Sequence, residues 1–167
     1  MLLSAHLATG SHAVYHRAMR RLTIAILLVM LGAAPARADV GIGFFLGDPT
    51  GLDLKIDLQR RSSLDIVLGI YDFREGKEAG YAHFTYLVTP VYARGRSVNV
   101  PLRVGIGAAV FGFRSDVHAG VRVPFELGLA FKTTPLEIYF EIGALLALIG
   151  EDPRFDLQGG VGLRFYL

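Results

Sequence analysis

Two short pairings in this sequence could do chemistry: His83 with Thr85, and Asp116 with His118. Residues two apart on a strand project from the same face, so each pair would present a base beside a hydroxyl or an acid. A barrel hydrolase acting on lipid A would use such groups only if base, nucleophile and orienting acid converged at one rim. Spacing along single strands supplies no convergence. His83 and His118 are therefore the only catalytic candidates, and a hydrogen-bonded inward histidine is the expected alternative. Gly41-Ile42-Gly43 and Gly159-Gly160-Val161-Gly162 have the look of phosphate-cradling loops. No helix follows either run, so room for bulky neighbours is the better account of these glycines. Asp48, Asp72, Glu75, Glu78, Asp116, Glu151 and Asp152 fall in connections, where they could gather divalent cations but are expected to be solvated loop charges. No metal site and no cofactor is expected, and with no cysteine there is neither a disulfide framework nor a thiolate site.

The elements that carry these residues follow from hydrophobic periodicity. In the terminal segment Phe155, Leu157, Val161, Leu163, Phe165 and Leu167 alternate with Asp156, Gln158, Gly160, Gly162, Arg164 and Tyr166, the period-two signature of a strand with one apolar face. The pattern returns upstream. Val40 to Leu46 comes first, followed by a turn at Gly47, Asp48, Pro49, Thr50 and Gly51, whose proline and glycines suit a tight connection. Leu52 to Leu58, Leu64 to Ile70 and Ala82 to Val88 continue it, then Val98 to Val110, Val121 to Phe131 and Leu136 to Leu148. Pro101 marks a bulge or a rim position within the fifth strand. The longest uncharged stretch, Ala79 to Ala93, is fifteen residues and holds His83, Thr85, Thr89 and Pro90, which argues against a helical span of roughly 20 apolar residues.

The first 38 residues read differently. From Met19, Arg20 and Arg21 precede an apolar run from Leu22 to Ala34, and Ala36-Arg37-Ala38 has the small-x-small form of a cleavage site. Residues 1–38 are thus expected to be a secretory signal peptide, with Met19 as the true start, and 39–167 a barrel domain. The formal net charge of +2 changes sign once the leader is set aside, because four of the 17 Lys and Arg lie in it and leave 13 against 15 Asp and Glu. No basic run survives, so no nucleic-acid partner is expected.

Together these features predict an all-β fold, an eight-stranded antiparallel up-and-down transmembrane β-barrel following a cleaved signal peptide. Alternation alone allows a soluble lipocalin-like carrier with its greasy face inward. The nearly pure Leu, Ile, Val and Phe composition of the apolar face favours lipid outside. The other face carries both signs, Asp53, Asp57, Asp65, Glu126, Glu137, Glu141 and Asp156 against Lys55, Arg103, Arg122 and Arg164. An eight-stranded interior is just wide enough for side chains to fill, so these groups are expected to pair into a salt-bridged, closed lumen. Tyr71, Tyr86, Tyr92, Tyr139 and Tyr166 are candidates for interfacial girdles.

The chain resembles small bacterial outer-membrane barrels of OmpA/OmpX-like size. Within them it looks like a family of short barrels that opens with a Gly-x-Pro-Thr-Gly-Leu turn, here Gly47, Pro49, Thr50, Gly51 and Leu52, and closes on GGVGLRFYL. The ending is also similar to the signal read by the barrel-assembly machinery, here Gly162, Phe165 and Leu167, although Leu167 replaces the usual terminal Phe. The resemblance implies an outer-membrane location and brings no activity. A non-catalytic, monomeric barrel of structural or modest binding role is expected. Its partners would be outer-membrane lipids and, during insertion, the assembly machinery, with the segment from Arg74 to Glu78 as the contact point. A lipid-A-modifying barrel hydrolase and the soluble carrier are the alternatives.

Overall fold

A computed structural model describes residues 39–72, 78–113, 116–150 and 153–167. The expected signal peptide (1–38) lies outside the described residues. So does most of the proposed contact segment, including Arg74, and so do Glu75, Glu151 and Asp152.

Eight strands follow one another, each paired to the next: β1 (Val40–Asp48), β2 (Thr50–Gln59), β3 (Ser62–Asp72), β4 (Glu78–Arg94), β5 (Val98–Phe113), β6 (Asp116–Phe131), β7 (Leu136–Ile149) and β8 (Arg154–Tyr166). All neighbours are antiparallel, and β8 returns to pair with β1, from Gly41 opposite Tyr166 to Asp48 opposite Gly159. Closure leaves no edge strand, so every ladder finds its backbone partners within the chain.

Orientation follows the alternation. Ile42, Phe44, Leu68, Phe84, Ile106, Phe125, Phe140, Ile142, Leu157 and Phe165 all lie on the outside, most of them about half exposed. Phe45, Asp53, Lys55, Asp65, His83, Arg103, Arg122, Glu126, Glu137, Tyr139 and Arg164 point inward and are buried. This inverts the water-soluble pattern, and it excludes the inward-facing apolar stripe that the carrier alternative requires. Tyr86 and Tyr92 face outward. Tyr71 and Tyr139 are buried in the lumen and Tyr166 bonds lumenal groups, so these three do not form a girdle.

The β1–β2 ladder ends at Phe45↔Gly51, while β1 runs on to Asp48 against β8 and β2 begins at Thr50 against β3; the β5–β6 connection is tighter, with pairing up to Phe113↔Asp116. The first turn is closed by Thr50, whose hydroxyl donates to Gly47 O at 2.7 Å and accepts from Gly47 N at 3.2 Å. At the end of β7, Gly150 has φ +142° and a Cβ there would run into the His118 ring, so both backbone and space require glycine.

Strands β4, β5 and β6 are the tall side of the barrel, at 17, 16 and 16 residues against 9, 10 and 11 for β1, β2 and β3. A tilted strand needs about 9–11 residues to cross a bilayer, so the tall side exceeds a span. The bulge falls at Thr89–Pro90, between the pairs Val88↔Val104 and Val91↔Leu102, rather than at Pro101. Pro101 instead faces inward within β5 and pairs with Tyr92. The β5–β6 ladder skips Pro101 and Pro124, which carry no amide hydrogen to donate.

Candidate functional site

The lumen contains the chemistry-bearing residues, and Arg164 on β8 is its hub. Arg164 is fully buried; its Nε donates to Asp53 at 2.6 Å, Nη2 to Asp65 at 2.6 Å and Nη1 to Glu126 at 2.9 Å. The planar fork thus spans β2, β3 and β6 at once, which three fixed donor directions allow and a single ammonium does not. Its guanidinium carbon lies 3.7 Å from the centre of the Tyr139 ring, a desolvated cation–π contact. The Tyr139 hydroxyl donates to the same Asp53 oxygen at 2.6 Å, and its ring stacks on Phe45 with centroids 5.8 Å apart. Gly162 is what admits this ring, because a Cβ there would overlap it.

Toward the end at which β1 begins and β8 ends, Arg103 donates to both Glu126 and Glu137. Tyr166 donates to Glu137 and accepts from Lys55 at 3.2 Å, and Lys55 also pairs with Asp57. Toward the opposite end, Arg122 donates to Glu141 at 2.5 Å and to Thr85 at 3.3 Å. Beyond lies an apolar cap of Tyr71, Tyr81, Ala109, Phe111, Leu145 and Ala147. His118 stacks on Phe111 there, with centroids 5.4 Å apart.

His83 belongs to this network. Its Nε2 lies 2.9 Å from Arg122 Nη1 and 3.1 Å from Asp65, and its Nδ1 lies 3.3 Å from the Tyr81 hydroxyl. Tyr81 gives its own hydrogen to Gln158 Oε1 at 3.0 Å, so its oxygen is available to accept. With Nδ1 protonated toward Tyr81, a neutral ring accepts from Arg122 through Nε2 and leaves the 3.1 Å contact to Asp65 without a hydrogen, whereas a protonated ring donates to Asp65 and opposes Arg122. Held between Arg122, Asp65 and Tyr81, His83 is buried together with Thr85. The two lie within the lumen, away from the lipid-facing rim where a hydrolase would need them.

Two of the expected lumenal acids sit apart from the others. Asp57 is about one-third exposed where it meets Lys55, and Asp156 pairs with Arg154 at 2.7 Å near the far rim. Both lie near strand ends, where inward-facing positions open toward water. Periodicity alone does not single out Tyr139 and Tyr166 as partners of the charges, or Tyr81 and Gln158 as partners of each other beside His83. The signal for them is shared parity: Tyr81 with His83 on β4, Tyr139 with Glu137 and Glu141 on β7, and Gln158 and Tyr166 with Arg164 on β8. Of the terminal motif, Phe165 points outward, Leu167 N donates to Val40 O at 2.9 Å, and Gly162 faces the lumen.

Fold and site together define a closed eight-stranded β-barrel with an apolar exterior and an ion-paired interior. No family model and no curated protein matches the chain. Among solved structures it is similar to the crystal structure of Ail, the attachment invasion locus protein of Yersinia pestis, at 16% identity and a TM-score of 0.43, over 78% of this chain and 97% of that one.

Proposed function

We propose that the chain is a non-catalytic integral barrel of the bacterial outer membrane, with a structural or modest binding role, whose lumen is held shut by ion pairs. The observation that carries this reading is the inversion of the barrel, with large aliphatic and aromatic side chains outside and arginines and carboxylates within. In water that arrangement would expose an apolar surface far beyond what soluble monomers tolerate. In a bilayer the same surface is solvated by acyl chains, and closure of the sheet leaves no unpaired edge in hydrocarbon. Its partners are membrane lipids and, during insertion, the barrel-assembly machinery, and it acts as a monomer. The export pattern of residues 1–38 agrees with this location.

Fractionation tests the reading. The protein is expected with outer membranes, extracted only by detergent, and its unboiled form should migrate differently from its boiled form on gels. Recovery as a soluble periplasmic protein would overturn it. His83→Ala should leave the lipid A profile unchanged, and an altered profile would instead favour the hydrolase.

A further inference from the structure

The rim at which β1 begins and β8 ends is markedly basic. The β2–β3 turn bears Arg60 and Arg61, the β4–β5 hairpin Arg94 and Arg96, and the β6–β7 turn Lys132, all exposed. The acids described at the surface of that rim are Asp39 and Asp57, and Asp57 is held by Lys55, while Glu137 lies deeper, buried and paired with Arg103. Lys132 is occupied, donating to Gly95 O at 2.6 Å. Arg60 and Arg61 enter no ion pair among the described residues.

Beside this turn the outer wall is indented. Because β4 bulges at Thr89–Pro90 just beyond the first residue of β3, a groove of about 550 Å³ opens there, lined by Gln59, Arg60, Arg61, Tyr86, Val88 and Pro90. Its base is fixed by the backbone, since Thr89 N donates to Arg61 O at 2.8 Å. The wall below is lipid-facing: Val88 pairs with Ser62 and Tyr86 with Leu64, and Tyr86 and Val88 are both outward and exposed. The groove therefore has two parts, an apolar slot continuous with the barrel's greasy face and two unpaired guanidinium groups at its mouth.

We infer that this groove is a binding site for the headgroup of an acidic phospholipid, with the phosphodiester on Arg60 and Arg61 and an acyl chain lying along Tyr86 and Val88. Guanidinium forks match phosphate oxygens two at a time. Arginine immediately beyond an apolar wall stands at the depth where headgroups lie. The outward tyrosine provides an amphipathic ring at the same level. The inference rests on the membrane reading above and adds a specific lipid to it.

The test uses the full barrel in bilayers of phosphatidylcholine, with spin-labelled phosphatidylglycerol or spin-labelled phosphatidylcholine as probe, reading the motionally restricted fraction. Phosphatidylcholine carries the same phosphodiester but is zwitterionic, so two arginines predict a preference for the net-anionic phosphatidylglycerol of about thirtyfold. R60Q/R61Q should abolish that preference, whereas R94Q/R96Q, on the neighbouring hairpin and outside the groove, should keep most of it. Both substitutions fall on exposed turns, and heat-modifiable migration verifies that each variant has closed. Equal restriction of the two lipids by the wild type, or equal loss in both variants, would overturn the site and leave the membrane reading standing. Failure of the wild type to enter bilayers at all would overturn both.

Discussion

Arg164 shows what one side chain does in this barrel. A buried guanidinium must recover its lost hydration from fixed acceptors, and three carboxylates from three strands supply them. Deleting one member of a buried ion pair strands its partners, at a cost of about 3–5 kcal/mol. Arg164→Met is therefore expected to destabilise the barrel by at least that range, measured as urea unfolding in lipid vesicles. Arg164→Lys should recover only part, because one ammonium cannot face Asp53, Asp65 and Glu126 in the same geometry. Tyr139→Phe removes one hydroxyl donor to Asp53 and should cost about 1 kcal/mol by itself. Because Tyr139 and Arg164 share the Asp53 Oδ2 atom, the two effects should not add, and a double-mutant cycle should return a clear coupling energy. Additive costs would mean that the two groups do not act through a common carboxylate.

At the scale of the strand, β7 illustrates how far alternation reaches. Its residues Leu136 to Leu148 alternate outward and inward, and the alternation breaks only at Ile149, where the ladder with β6 shifts register; the pattern was legible because period two fixes which residues share a face. Ile142, near the middle and well exposed on the outside, should tolerate no charge; Ile142→Arg is expected to cost about 2–4 kcal/mol at the midplane. A substitution that costs nothing in vesicles would place this face in water. Strand length was less legible. The alternation carries the fourth strand only to Val88, whereas the chain absorbs Pro90 in a bulge and β4 runs on to Arg94. Pairing within the lumen was not legible. Arg164 meets Asp53 across 111 residues and Asp65 across 99, and such contacts depend on register and strand tilt, which local periodicity does not encode. The composition announced that the interior charges must neutralise one another, but not which would meet.

The described residues close into a cylinder with an apolar exterior and layers of paired charge inside, and the two ends of that interior differ from its middle. In the middle, Arg164 and its acids are sealed from solvent; near the far rim, the Arg154–Asp156 pair is partly exposed. Salt distinguishes the two settings, because at 1 M the screening length is about 3 Å in water while buried pairs are screened far less. The stability cost of Arg154→Ala should be within about 1 kcal/mol at 0.1 M salt and should fall further at 1 M. The cost of Arg164→Met should remain the same at both. Conductance gives a second view of the same seal. If the side chains fill the eight-stranded interior, the wild-type barrel in a planar bilayer should show no steady ion current even in concentrated salt. A stable current, together with a salt-dependent Arg164→Met cost, would mean that water threads the ion-paired layers and that the barrel is a narrow pore rather than a closed one.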